Sequence, residues 1–206
     1  DWQKWVAGMR HAFGNELAAE HSEPQPAGAE QFRKIRRCLA TNNWVYVHVS
    51  PRGVGPTAWS GDARTQIQIR RRFMLLGQTL DGMRAWDLRR ALQAVRSFRS
   101  LHGVPLSVEA RDDLAVDALY AALFEPGIAA LDLGQMPVSH LNGPDFLNVL
   151  RVLDIPQAVA MVAERSQVRL FETDPKAWDY PVAIAQRLGW SEQQFGVEQA
   201  AAGSSQ

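Results

Sequence analysis

Between Val104 and Phe171 the chain alternates short apolar runs with amphipathic stretches, and this alternation restricts its fold more than any other feature. Val104 to Val108 reads as a strand. Leu114, Ala115, Ala118, Leu119 and Ala122 line one face of a short helix, Glu125-Pro126-Gly127 breaks it, and Ile128 to Leu133 reads as the next strand. Helical stretches around residues 144–152 and 156–164 precede a further strand, Val168-Arg169-Leu170-Phe171, and residues 176–188 make a last helix ending at Gly189. Strands separated by helices require crossover connections, so the spacing predicts a doubly wound α/β fold, a mostly parallel sheet with helices on both faces.

Upstream, Trp44-Val45-Tyr46-Val47-His48-Val49 is β-branched and aromatic without clean alternation, which fits a strand covered on both faces and brings the recognisable strands to four. A loop, Pro51-Arg52-Gly53-Val54-Gly55-Pro56, follows it. Met83, Trp86, Leu88, Leu92, Val95 and Phe98 share a helix that stops near His102-Gly103. At the start of the chain, Trp2, Trp5, Val6, Met9, Phe13 and Leu17 form the stripe of an amphipathic helix over residues 2–20. A breaker-rich loop over residues 21–28 separates it from a second helix carrying Phe32, Ile35, Cys38 and Leu39, which Asn42-Asn43 ends. Gln194 to Gln206, rich in Ala, Gly, Ser and Gln, reads as a loose tail. The expected parts are an N-terminal helical segment over 1–43, an α/β domain over 44–190 and a flexible tail over 191–206.

Composition excludes several classes of function. With 46% hydrophobic residues and 7 Trp in 206 residues, the chain can bury a sizeable core. Its 22 basic and 22 acidic residues cancel, so no overall field draws it to nucleic acid or an anionic membrane. Cys38 stands alone, which rules out an intrachain disulfide and a Cys-rich zinc site, and the five His show no metal-ligand spacing. The Pro51 to Gly55 loop has too few glycines in the right order for a Walker or Rossmann phosphate loop, so no cofactor is expected. No run reaches the ~20 apolar residues of a membrane helix, and Asp1-Trp2-Gln3-Lys4-Trp5 lacks the form of a signal peptide. The reading is a soluble chain, secreted or periplasmic if a signal peptide was removed upstream. Arg70-Arg71-Arg72, the one basic cluster, fits either a phosphate or acidic partner or pairing with nearby acids.

Three phrases in order carry a resemblance. Val47-His48-Val49-Ser50-Pro51-Arg52-Gly53-Val54-Gly55 looks like a strand and D-x-R-G-x-G loop, and Phe73 to Asp87 looks like an LLG-x-T entry to a helix. Val104 to Leu123 then takes the place of a nucleophile strand, its elbow and its helix. Together, over residues 44–190, they resemble the α/β-hydrolase superfamily, in its acetyl xylan esterase-like and dienelactone hydrolase-like branch. The resemblance implies a carboxylesterase or acetyl esterase acting on a small-molecule ester. The elbow of that family reads G-x-S-x-G, a sharp turn with small residues around the nucleophile; the matching residues here are Ala110-Arg111-Asp112-Asp113-Leu114.

Asp112 thus stands where the family places its serine, and two readings stay open. Haloalkane dehalogenase-like and epoxide hydrolase-like relatives use a carboxylate nucleophile at this place. Alternatively Asp112 is an N-cap, with Asp113 and Asp117 complementing the helix dipole. The resemblance also implies an acid after one of the last strands, where Asp174 stands, and a His after the final one, where this sequence has none. His140 is the best remaining imidazole, since it follows a strand at the edge where ligands bind in open α/β sheets, and Ser139 beside it is a candidate nucleophile. A loop His bonding backbone groups is the alternative. His48 reads as a core or strand-end residue and His102 as a helix-end cation.

The family's sheet has more strands than the four recognisable here, so a missing N-terminal segment or a homo-oligomeric edge contact is expected to complete it. Three functions follow. The first is an esterase using His140 with Asp174 or Asp112 around Ser139. The second is a catalytically inactive α/β-hydrolase-like binding or assembly module lacking the nucleophilic serine. The third makes Asp112 the nucleophile on an alkyl halide or epoxide, with His140 activating water.

Overall fold

A computed structural model describes residues 45–59 and 62–199 of the chain. The helices expected over 2–20 and from Phe32 to Leu39, the whole 1–43 segment, Trp44 and the end of the tail from residue 200 lie outside the described residues. The chain divides into two units, Asp1–Ser60 and Gly61–Gln206.

In the first unit, residues 45–50 carry no strand, and Val45, Tyr46, Val47 and Val49 are exposed. A run of β-formers becomes a strand only when a neighbour completes its ladder. No ladder partner is assigned to it among the described residues. His48 is likewise exposed rather than in a core. The loop after it is built around Thr57, whose hydroxyl donates to Pro51 O at 2.6 Å. A Cβ on Gly53 would overlap the Trp59 ring, and its φ of +73° favours glycine as well.

The second unit opens with helix α1, Ala63–Leu75, whose N-cap Asp62 accepts from Thr65 N–H at 2.9 Å. Helix α2, Leu80–Ser97, starts from Thr79, which accepts from Gly82 N–H at 3.0 Å. Strand β1, Leu106–Arg111, turns directly into helix α3, Asp112–Phe124; strand β2, Ile128–Gly134, leads through a long loop to helix α4, Ile155–Ala163. Strand β3, Gln167–Glu172, connects by a 3-10 turn, Pro175–Trp178, to helix α5, Asp179–Leu188, and strand β4, Phe195–Gln199, completes the sheet. The sheet is wholly parallel, in the order β1-β2-β3-β4.

Period-two alternation sets the faces. Leu106, Val108 and Ala110 of β1 and Val168, Leu170 and Glu172 of β3 point to the core, while Ser107, Glu109, Arg111, Gln167 and Arg169 alternate with them. Helices α3, α4 and α5 cover the core side as one layer, each packed on the next, and α2 packs on α3. That packing explains why every residue of α3 from Ala115 to Ala122 is buried. Leu119, Leu131, Leu133, Ile155, Val159, Val168, Leu170 and Trp178 form the fully buried centre. The protein is therefore α/β with a parallel sheet. Cover on the second face is not found among the described residues: Ser107, Glu109 and Arg111 are exposed there, and Arg169 pairs with Asp132 through two bonds of 2.7 and 2.5 Å.

Two further expectations change. Residues 144–152 form only turns and a 3-10 turn, Val149–Arg151, because Asn148 enters it with φ of +59° and the Asp145 N–H is captured by Asp81. The tail contains β4, whose Phe195 is buried and whose five residues pair with β3. Its polar, short sequence hides a strand that only the β3 edge defines. Gly189, as expected, ends α5 in a left-handed C-cap.

Candidate functional site at the C-terminal edge of the sheet

Strand register brings three residues into one row. Arg111 pairs with Gly134 and Gly134 with Phe171, so the residues that follow, Asp112, Gln135 and Glu172, lie side by side beyond β1, β2 and β3. Glu172 pairs in turn with Gln199 of β4. The first two members leave their strands in the same unusual conformation, Asp112 and Gln135 each having φ of +54°. A non-glycine residue there costs on the order of 1 kcal/mol, less for Asp than for most.

Asp112 is exposed at this turn and is already the first residue of α3. The N-cap is Arg111, and no side chain caps the helix, so the N-cap reading of Asp112 does not hold. The sharp strand-to-helix exit forms with Ala110 and Leu114 both half-buried, so Leu114 does not prevent the turn. The residue occupies its place by backbone conformation rather than by capping.

Glu172 ends the core-facing set of β3 and is 4% exposed. Its Oε1 accepts from Met136 N–H at 3.1 Å, fixing the carboxyl against the β2 exit loop. Burial, chiefly, pushes its pKa up to about 7; Asp112 raises it too, while the Met136 N–H and the nearby Trp178 indole oppose the shift. Trp178 Nε1 is nonetheless buried without a partner of hydrogen-bond geometry. These groups border a solvent-open concavity of about 420 Å³, lined by Gln135, Met136, Val138, Glu172, Thr173, Asp174, Ala177 and Trp178. Asp174 lies at this concavity as the cap of the 3-10 turn, accepting from Lys176 N–H at 3.1 Å.

Ser139 and His140 lie on the loop after β2, but they are not wired to each other. The Ser139 hydroxyl donates to Asp154 Oδ2 at 2.6 Å, and the His140 backbone N–H donates to Asp154 Oδ1 at 2.9 Å. Asp154 is also the N-cap of α4. Burial works against its ionisation, but the bonds from Ser139, His140 N–H and Ile155 N–H outweigh that and hold its pKa below the usual value. The His140 ring faces away from the pair: Nδ1 is 2.8 Å from Pro144 O, and Nε2 is 2.8 Å from Tyr120 Oη. A carbonyl can only accept, so Nδ1 carries the proton, and in the neutral ring Nε2 accepts from the Tyr120 hydroxyl. Phe146 stacks on Tyr120 and meets the His140 ring edge-on. In a hydrolytic triad the imidazole stands between serine and acid. Here serine bonds the acid directly, and both ring nitrogens are occupied elsewhere.

The arginines upstream are largely structural. Arg70 and Arg84 each reach the fully buried Asp81 at 2.9 Å, and the Asp145 N–H donates to the same carboxylate at 2.9 Å. Arg70 also bonds Asp145 at 3.2 Å, Arg89 pairs with Glu125, and Arg90 bonds Gln93. Asp81 thereby ties α1, α2 and the loop carrying His140. Nearby, Asp117 of α3 is fully buried with neither carboxyl oxygen hydrogen-bonded; burial, with help from Asp81 and Asp113, pushes its pKa up to about 9. His102 is exposed just after the 3-10 turn that follows α2.

The structure thus gathers Asp112 and Asp174 around Glu172, and it places Ser139 and His140 in a separate bonded loop. Glu172, Gln135 and Trp178 were not singled out from sequence. One signal for Glu172 is legible: an acid in phase with Val168 and Leu170 on the apolar side of a strand. Among the described residues no helix is long and apolar enough to cross a membrane, and no group of His, Cys, Asp and Glu could hold a metal ion. No family model, no curated protein and no solved structure matches the chain.

Proposed function

We propose that the protein is a non-catalytic α/β-hydrolase-like module that binds a small ligand at the C-terminal edge of its sheet. The observation that carries this reading is the wiring of Ser139, His140 and Asp154. Their side chains have the types that acyl transfer needs, but the serine proton is held by the acid and the imidazole is held by Pro144 O and Tyr120. Two features support the hydrolase-like part of the reading: the sequential parallel order of the four strands, and the left-handed Asp112 at a strand-to-helix exit. The concavity beside Glu172 supports the binding part.

Turnover of short acyl esters tests it. The chain and its His140→Ala variant should release p-nitrophenol from p-nitrophenyl acetate at the same background rate. Turnover that His140→Ala abolishes would replace this reading with the carboxylesterase one. A second reading is favoured by Asp112 alone, exposed at the elbow position with φ of +54°, as a carboxylate nucleophile on an alkyl halide or epoxide. A single turnover in 18O-labelled water, read by mass spectrometry, would then place label in Asp112; an unlabelled residue leaves the non-catalytic reading in place.

A further inference from the structure

We infer that the concavity beside Glu172 takes a small aliphatic amine in its ammonium form. The inference rests on the binding-module reading and names the ligand class of that site. Its lining contains two acids, Glu172 and Asp174, one neutral amide, Gln135, and no Lys or Arg. Asp112, next in the same row, adds a further negative charge within reach of Glu172. Three cations lie near in sequence and none lines the site: Arg111 is exposed before Asp112, Arg169 pairs with Asp132, and Lys176 is exposed, its backbone N–H being what binds Asp174.

Glu172 is held ready for a cation. Met136 N–H fixes Oε1 at 3.1 Å, and burial takes most of the carboxyl away from water. A buried carboxylate without a counter-charge is costly, and its pKa near 7 records that cost. An ammonium group beside it would favour the ionised form. Ionised Glu172 would also give the unpartnered Trp178 Nε1–H a charged acceptor to turn to.

The remaining wall fits the rest of such a ligand. Val138 and Ala177, both half-buried, offer apolar surface for a short alkyl chain, with the buried Met136 and Trp178 completing the wall, while Asp174 and Gln135 provide acceptors near it. The acids are too dispersed for a metal, since no described group of acids and imidazoles could hold one. Dispersed acceptors around an apolar wall match an elongated organic cation instead of a point charge.

The experiment is an NMR titration of the full chain at pH 7.5 with 1,4-diaminobutane, n-butylamine and the neutral 1,4-butanediol. Saturable shifts are expected with the amines at Gln135, Met136, Thr173 and the Trp178 indole N–H, and none with the diol. Glu172→Gln keeps an acceptor for Met136 N–H and should weaken diamine binding about tenfold or more, and Asp174→Asn severalfold. Equal binding of the diol, shifts scattered over Glu109 and Glu198 on other surfaces, or an unweakened Glu172→Gln variant would overturn the inference. Should Glu172→Gln unfold, the location of the wild-type shifts and the Asp174→Asn affinity decide in the same way. Ester turnover by the chain would overturn the non-catalytic reading and leave amine binding standing, whereas a neutral ligand seated in the concavity would do the reverse.

Discussion

The loop after β2 and the row beyond the strands make opposite use of their polar residues. The loop has the chemistry of a triad in its composition, and its bonds consume that chemistry: Ser139 on Asp154, His140 on Pro144 O and Tyr120. In the row, Asp112, Gln135 and Glu172 come from three separate stretches of chain that register alone brings together, and Glu172 with Gln135 borders the concavity. The difference teaches that residue types near one another in sequence say little about function until their partners are known. A row at a parallel-sheet edge, by contrast, is built by the fold itself and faces the side where such sheets bind ligands.

The largest effect should come from loosening the loop at its tether. Asp81→Ala leaves Arg70, Arg84 and the Asp145 N–H without their shared buried acceptor, and should cost about 3–5 kcal/mol in urea unfolding. A cost below about 1 kcal/mol would mean that the loop does not depend on that tether. Next in size is the pH dependence of stability. Asp117 has its folded pKa raised to about 9 from 3.8, so the folded chain keeps a proton that the unfolded chain has released. The Asp117 contribution to stability should therefore be greatest below about pH 4 and fall as pH rises to about 9, while Asp154, held below its usual pKa, contributes with the opposite sign as pH falls below about 4. Glu172, raised to about 7 from 4.5, has the same sign as Asp117 over its narrower window. Asp117→Asn should remove most of that slope and be more stable than the parent at pH 8 by roughly 1–3 kcal/mol. An unchanged slope would show that Asp117 is not the buried proton carrier.

Smaller effects separate the two regions further. Ser139→Ala loses a hydrogen bond to a capping carboxylate and should cost about 1 kcal/mol in thermal or urea unfolding, with ester turnover still at background. A drop in turnover would return Ser139 to a catalytic role. Asp112→Gly removes a non-glycine residue from φ of +54° and should stabilise the chain by about 0.5–1 kcal/mol. Destabilisation would mean that the Asp112 side chain makes contacts that matter to the fold.

Much of the fold was legible because local pattern and tertiary outcome agree. The alternation in Leu106–Arg111 and Gln167–Glu172, the Glu125-Pro126-Gly127 break and the Gly189 stop all act within a few residues. What escaped depends on distant partners. Residues 45–49 have the composition of a strand but no ladder among the described residues, and Phe195–Gln199 has the composition of a tail but a ladder on β3. The site divides in the same way. Asp112 was legible from its place between a strand and a helix, although its backbone conformation was not. Glu172 was hidden because its neighbours in space, Met136 and Trp178, come from a different loop and a later turn. His140 stood out by its edge position, and nothing in its flanking residues reveals that Tyr120 occupies its second nitrogen.

The tautomer of His140 tests the central claim most directly, because the claim is that this ring is structural. Two-bond 15N–1H correlation spectra at pH 8 should find one neutral tautomer, with the proton on Nδ1 and Nε2 unprotonated. Tyr120→Phe should shift the Nε2 resonance and leave the proton on Nδ1. A proton on Nε2, or rapid exchange between the two tautomers, would show the ring free of Pro144 O and Tyr120 and would contradict the account.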